Sequence, residues 1–472
     1  MLARTPVFYL VSALLAAFLL AGCKREEKAP PPAAPETTSE TTAPEDEAQS
    51  EPATANQAEE QPPAPAGEER EPADATPRSA APDAQPALAA IAKARKEGVR
   101  AVWVVRSAYK SPEEIAYVMQ NVQDAGFNTV IFQVRGNGTV YYPSKIEPWA
   151  EQYNYQDPGF DPLAVAVKEA HSRGLAIQAW VNVLPAWRGT RPPTNPDQLY
   201  NKHPEWFWYD QNGKRQALCD FYVSLNPCLP EVRAYLVSVF REIVANYEID
   251  ALHMDYIRFP NEHPAIPRGS GLDYPRDIKT LTLYKEATGK SPDDDPAAWK
   301  KWRTDQVTQL VAEVRNMIRE VRPACLLAAS VGANFNSGLS HFQDSARWAE
   351  EKLIDMAFPM NYKNDLPSFV SALEPWLPRR DQVIVIPGMW PNGGPEVAKG
   401  QIQAAVAATN NFCFFAYGSM FDNRPEPAPA TTGPAPEPAR RGGRRGADPK
   451  KEALRNELTP TIKAIAASQP SV

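Results

Sequence analysis

The chain has 472 residues, 49 of them proline, and its 50 Lys and Arg against 57 Asp and Glu leave a net charge of −7. Thirteen prolines fall within 23–90 and nine beyond Arg424; the part able to bury a core is therefore about 330 residues, which fits one large α/β domain and excludes a string of small modules. Segment 23–90 alone holds 15 acidic and 5 basic residues, so the middle is near neutral and without a basic cluster, which argues against nucleic acid as a ligand.

In chain order, residues 1–22 read as an export signal. Arg4 precedes an apolar run over 7–21 broken only by Ser12, too short for a comfortable membrane span. The run ends in Leu20-Ala21-Gly22-Cys23, which resembles a bacterial lipobox. That resemblance implies cleavage before Cys23, a lipid on its thiol that holds the protein to a membrane, and, with Lys24 next, an outer-membrane lipoprotein facing the periplasm. Residues 23–90 are mostly Pro, Ala, Glu and Thr and cannot offset their ordering entropy by burial. They are expected to form a flexible tether spanning roughly 45 Å. A barrel-sized domain over 91–424 follows, then a Pro/Arg-rich linker over 425–448 and a C-terminal helix within 449–472.

From residue 99 onward, β-branched and aromatic runs alternate with helical stretches, the pattern of a parallel sheet built from βα units. The expected strands are 100–106, 128–135, 175–182, 249–256, 325–331, 354–362, 382–389 and 411–417. Eight alternations fit a (β/α)8 TIM barrel. A doubly wound open sheet is the runner-up, but no strand leads into a GxGxxG turn or a phosphate loop, and no cofactor is expected. Cys219 and Cys228 share a loop and suggest a disulfide in an oxidising compartment, whereas Cys325 and Cys413 lie in apolar runs and read as core.

Period-two alternation along the strands separates lumen from helix-facing side chains. In the fourth strand Leu252, Met254 and Tyr256 face the helices, and His253 and Asp255 face the lumen. The second strand turns Gln133 and Arg135 inward, and the third puts Gln178, Trp180 and Asn182 on one side. Arg106, Tyr362, Trp390 and Tyr417 finish their strands similarly, at the carboxyl ends where barrel enzymes carry their chemistry. The connecting loops are rich in aromatic residues, whose flat rings suit sugar faces.

Glycosidic cleavage needs one carboxyl group for the leaving oxygen and a second group that supplies or activates the nucleophile. Asp255 is the foremost candidate, beside His253 and Arg258. Glu262, Asp273 and Asp277, or Glu147 and Glu151, are candidates for the second. A sugar bearing an N-acetyl group offers another solution, because its carbonyl can act as internal nucleophile. Met360-Asn361-Tyr362 resembles the Met-x-Tyr of chitinase barrels, whose tyrosine supports the acetamido group. No third ligand joins His253 and Asp255, so no metal site is expected.

Phe132-Gln133-Val134-Arg135, Tyr142-Pro143-Ser144, Glu147-Pro148-Trp149, Ala179-Trp180-Val181-Asn182, His203-Pro204-Glu205-Trp206 and Asp250-Ala251-Leu252-His253-Met254-Asp255-Tyr256 resemble glycosyl hydrolase-like family 10 over about 99–420. Ala251-Leu252 stand where the family often has Gly-Ile. The resemblance implies an exported bacterial (β/α)8 barrel that cleaves peptidoglycan glycan strands stripped of their stem peptides, with cell-division proteins as possible partners. Asp255, Glu262 and Tyr362 are then the expected catalytic residues. Arg106, Gln133, Arg135, Trp180, Asn182, His253, Arg258, Asn361, Trp390 and Tyr417 are expected to bind the sugar. Two rivals remain at this point: a non-catalytic glycan-binding lipoprotein and a hydrolase of secreted exopolysaccharide.

Overall fold

The computed structural model describes residues 85–260, 270–422 and 448–469. Parallel strands run Arg100–Val104, Thr129–Arg135, Ala176–Asn182, Ala251–Asp255, Leu326–Val331 and Met356–Pro359, then the split pair Ile384–Val385 and Gly388–Met389, then Phe412–Phe414. Successive strands pair in that order. The split seventh strand closes the ring. Its first half pairs with the sixth strand and its second half with the eighth, which pairs in turn with the first. The break falls at Pro387, which has no N–H to give, and its carbonyl still accepts from the Cys413 N–H at 2.9 Å. The result is the expected TIM barrel, one strand to each expected run.

Alternation sorts the side chains into two layers. Val102, Val104, Phe132, Leu252 and Met254 pack outward against helices, while Trp103, Ile131, Trp180, Phe358 and Ile386 fill the lumen. Trp103 fits because Gly388 opposes it; a Cβ there would come within 2.8 Å of the indole.

The outer helices start where polar caps and proline coincide, since proline needs no N–H partner in the first turn. Ser111 caps Pro112–Asp124, Asp161 caps Pro162–His171 and Asp295 caps Pro296–Val321, each accepting a backbone N–H of the first turn. Only the short helix Tyr417–Met420 directly follows the eighth strand. The outer layer is completed by Pro449–Ser468, which buries Leu454, Leu458 and Ile462 and packs on helix Pro395–Thr409. Its Lys463 and Ile462 also sit against Gly126, at the end of the first barrel helix. The domain therefore extends past residue 424, and the C-terminal helix is its eighth. At the other end, helix Gln85–Glu97 begins inside the segment assigned to the tether and lays Ala90, Ile91 and Ala94 against the lumen core.

The expected Cys219–Cys228 bridge is not formed; Cys228 is a free, buried thiol. Cys219 opens the strand Cys219–Ser224, which pairs with Pro185–Gly189 in a hairpin.

Candidate active site

The carboxyl ends of the strands open onto a cleft of about 510 Å³. Asp255 and Tyr362 line it together with Arg106, Gln133, Trp180, Asn182 and Arg258. Asp255 ends the fourth strand, is 8% exposed, and its Oδ1 accepts the Tyr256 N–H at 2.7 Å. Tyr256 itself has φ 51, a left-handed conformation costly for a bulky residue and common at functional turns. That turn brings Tyr256 to the cleft, whereas simple alternation directs it to the helices. The Arg258 guanidinium carbon lies 5.1 Å from the Tyr256 ring centre.

Met360 and Tyr362 both reach the cleft across the unaligned Asn361. Burial raises the Tyr362 hydroxyl well above its ordinary pKa, and the negative charge of Asp255 pushes the same way. The phenol is thus held protonated, as a donor in the cleft it shares with Asp255. Behind it, Asn182 Oδ1 accepts from Trp180 Nε1 at 3.1 Å and Gln133 Nε2 at 3.3 Å, while Gln133 Oε1 accepts the Arg106 N–H at 3.1 Å. This relay fixes three cleft side chains in one orientation. Arg106 lies flat over Gly136, where a Cβ would come within 2.7 Å of its guanidinium.

Four expected binding residues lie elsewhere. The second strand has an irregularity between Gln133 and Arg135, which reverses the pleat. Arg135 is therefore buried on the outer side, its Nε and Nη2 donating to Glu147 at 2.8 and 2.6 Å. This pair also removes Glu147 from the candidate acids. His253 does face the lumen, but one layer below the cleft, between Gln178 Oε1 at 2.8 Å and Ser330 Oγ at 2.9 Å. Burial lowers its pKa to about 3, so it is neutral. Asn361 points away by parity and donates to the Phe369 carbonyl at 2.8 Å. Tyr417 misses the cleft because a helix begins there; its hydroxyl accepts from Asn121 Nδ2 at 2.7 Å.

Trp390, 40% exposed, stands at the rim with its ring centre 6.0 Å from that of Tyr362 and 5.7 Å from that of Phe415. Asp273 is held by Arg276, Trp299 and Arg303, and Asp277 caps helix Ile278–Thr288, so neither serves the cleft. Glu262 and Cys23 lie outside the described residues. Sequence reasoning missed Tyr222 and Arg188, which the hairpin brings over the cleft, with the Tyr222 ring centre 5.2 Å from that of Tyr256. Their only signal is the Phe221-Tyr222 pair in a strand too short to stand out.

A closed (β/α)8 barrel with a carboxylate, a donor tyrosine and aromatic walls at its strand ends has the fold and site of a glycoside hydrolase-type protein. The sequence profile of the glycosyl hydrolase-like 10 family matches residues 98–387, and the chain belongs to that family. It is 29% identical over 272 residues to glycosyl hydrolase DigH of Escherichia coli strain K12, covering 52% of this chain and 56% of that protein. It is 27% identical over 300 residues to glycosyl hydrolase YngK of Bacillus subtilis strain 168, covering 56% of this chain and 54% of that one. The chain thus spans about half the length of the curated relatives it matches. Among solved structures it shares the fold of the catalytic domain of a β-amylase from Paenibacillus polymyxa, at 11% identity and TM-score 0.50 over 70% of this chain and 94% of that one. It shares it equally with an α-L-fucosidase isoenzyme from Paenibacillus thiaminolyticus, at 13% identity and TM-score 0.50 over 69% of this chain and 47% of that one.

Proposed function

We propose that the protein hydrolyses N-acetylated cell-wall glycan, with peptidoglycan strands freed of stem peptides as its substrate, and that it does so in the periplasm, anchored through a lipid on Cys23. One observation carries this reading: Asp255 lines the cleft together with the Tyr362 of a Met-x-Tyr strand end, and among the described residues it is the one carboxylate that does so. A barrel glycosidase that relies on two protein carboxylates needs a second within about 5–10 Å. Among the described lining residues Asp255 stands alone as a carboxylate, and in this reading the substrate's own acetamido carbonyl supplies the nucleophile. Asp255 then acts as the acid, or as the carboxylate that polarises the acetamido group, and the Tyr362 hydroxyl orients that group by donating to it. Trp180, Tyr222 and Tyr256 offer rings to sugar faces, and Arg106, Gln133 and Asn182 offer polar groups to hydroxyls.

The test is to incubate the full chain with peptide-free and with intact sacculi. Soluble peptide-free saccharides should appear from the first, and Asp255→Asn should cut their release by about 10²-fold or more without unfolding the protein. Retention on the glycan without release would mark a binding protein instead. Cleavage confined to a deacetylated glucosamine polymer would mark an exopolysaccharide hydrolase.

A further inference from the structure

We propose, building on the reading of the protein as a wall-glycan hydrolase, that the cleft continues past Tyr362 into a basic trough whose Lys363 recognises a free carboxylate on the glycan. The carboxylate is that of the lactyl ether on a muramic unit that has lost its peptide. A cavity of about 320 Å³ adjoins the cleft and shares Arg258, Met360 and Tyr362 with it. A third, of about 720 Å³, shares Lys363 with the second and runs on to Pro375. The shared residues set the three cavities side by side, with Lys363 in the wall of both outer ones.

The described lining of the two outer cavities is cationic. Among the described residues no Asp or Glu lines either cavity, whereas Arg258 and Lys363 do, among amide and hydroxyl side chains such as Asn334, Asn336 and Ser368. Lys363 is held by its backbone on both sides: its N–H donates to the Asn361 carbonyl at 2.9 Å, and its own carbonyl accepts from Gln401 Nε2 at 2.8 Å. The carboxylate that feels its charge, Asp365, is engaged in capping a helix through the Ser368 N–H at 2.8 Å. Among the described residues Lys363 enters no ion pair.

On a strand that still carries stem peptides the lactyl carbonyl is an uncharged amide; removing the peptide uncovers an anion. A lysine at the cavity wall, with the neighbouring Asp365 engaged in capping a helix, favours the second form over the first. Lys363 would thereby help select stripped strands, at a position outside the bond-breaking machinery.

The test measures binding of soluble peptide-free wall fragments by titration calorimetry, using the full chain with Asp255→Asn to prevent turnover. Adding Lys363→Gln should weaken binding about five-fold, with Lys363→Arg restoring most of it. Fragments whose carboxylates have been converted to methylamides should bind equally with and without Lys363→Gln. An unchanged affinity for the free acids, or the same loss on the methylamides, would overturn the assignment while leaving the hydrolase reading intact. A polyuronate bound as tightly and through the same lysine would give the trough to uronic polysaccharides instead of lactyl groups. If no N-acetylated fragment bound at all, the wall-glycan reading itself would fall, and the lactyl assignment with it.

Discussion

At the scale of single residues, His253 shows how far parity alone can be taken. Its inward direction was legible from the alternation in Leu252-His253-Met254-Asp255, but depth along the barrel axis was not, because that depends on the stagger between strands. Trp103 and Phe358 close over the ring at 6.0 and 4.7 Å, so the imidazole has no solvent to charge it. Gln178 Oε1 needs a donor, which puts the proton on Nδ1 and leaves Nε2 to accept from Ser330. With its pKa lowered to about 3, the folded protein does not take up the proton that the unfolded chain binds below about 6.5. The unfolded state therefore holds more protons between these values, and stability is full above pH 6.5 and falls with acidity by up to about 1.4 kcal/mol per pH unit. Urea midpoints between pH 7 and pH 4 should fall more steeply for the native chain than for His253→Gln; parallel curves would refute a buried neutral imidazole. The same alternation correctly read Asp255, Asn182 and Tyr362. It failed at Arg135, Tyr256 and Tyr417, the three places where a bulge, a left-handed residue or a helix start breaks the pleat.

Among the elements, the second strand is where such a break has an energetic consequence. The irregularity before Arg135 moves a guanidinium out of the lumen and into the fully buried space under helix Pro230–Asn246, where Glu147 meets it and Tyr235 donates to Glu147 Oε1 at 3.2 Å. Asn182 and Val183 add their carbonyls to Arg135, tying the second strand to the end of the third beside the cleft. Burying two charges is costly, and their pairing about offsets that cost. Removing one partner leaves the other uncompensated, at about 3–5 kcal/mol. Glu147→Ala should lower the unfolding free energy by that amount and the denaturation midpoint with it, while Arg135→Met with Glu147→Leu recovers most of the loss; equal midpoints for Glu147→Ala and the native chain would show the pair to be dispensable. Strand positions were readable because hydrophobic runs bounded by polar turns are local signals. The hairpin carrying Tyr222 was not, since its place over the cleft follows from tertiary packing of a segment with weak periodicity.

For the whole molecule, the informative contrast is between covalent order and spatial order. A Pro/Arg-rich stretch separates the eighth strand from Pro449–Ser468, and in sequence the stretch looks like the end of the domain. In space the final helix fills the position between the seventh and first helices, with Lys399–Glu457 at 2.6 Å and Lys451–Asp422 at 2.8 Å flanking its buried Leu454, Leu458 and Ile462. Without it, helix Pro395–Thr409 and the short helix Tyr417–Met420 lose their cover. Three buried aliphatic side chains at about 1.5–3 kcal/mol each amount to roughly 5 kcal/mol or more, a large part of a typical domain's stability. A chain ending at Asp422 should therefore unfold at far lower denaturant, or fail to accumulate in soluble form. Leu458→Ala should lose about 2–5 kcal/mol by cavity formation alone while keeping the cleft and its activity. If the shortened chain matched the full one in midpoint, the last helix would be an appendage and the barrel complete with seven; if Leu458→Ala abolished activity while sparing stability, the helix would act on the site rather than on the fold.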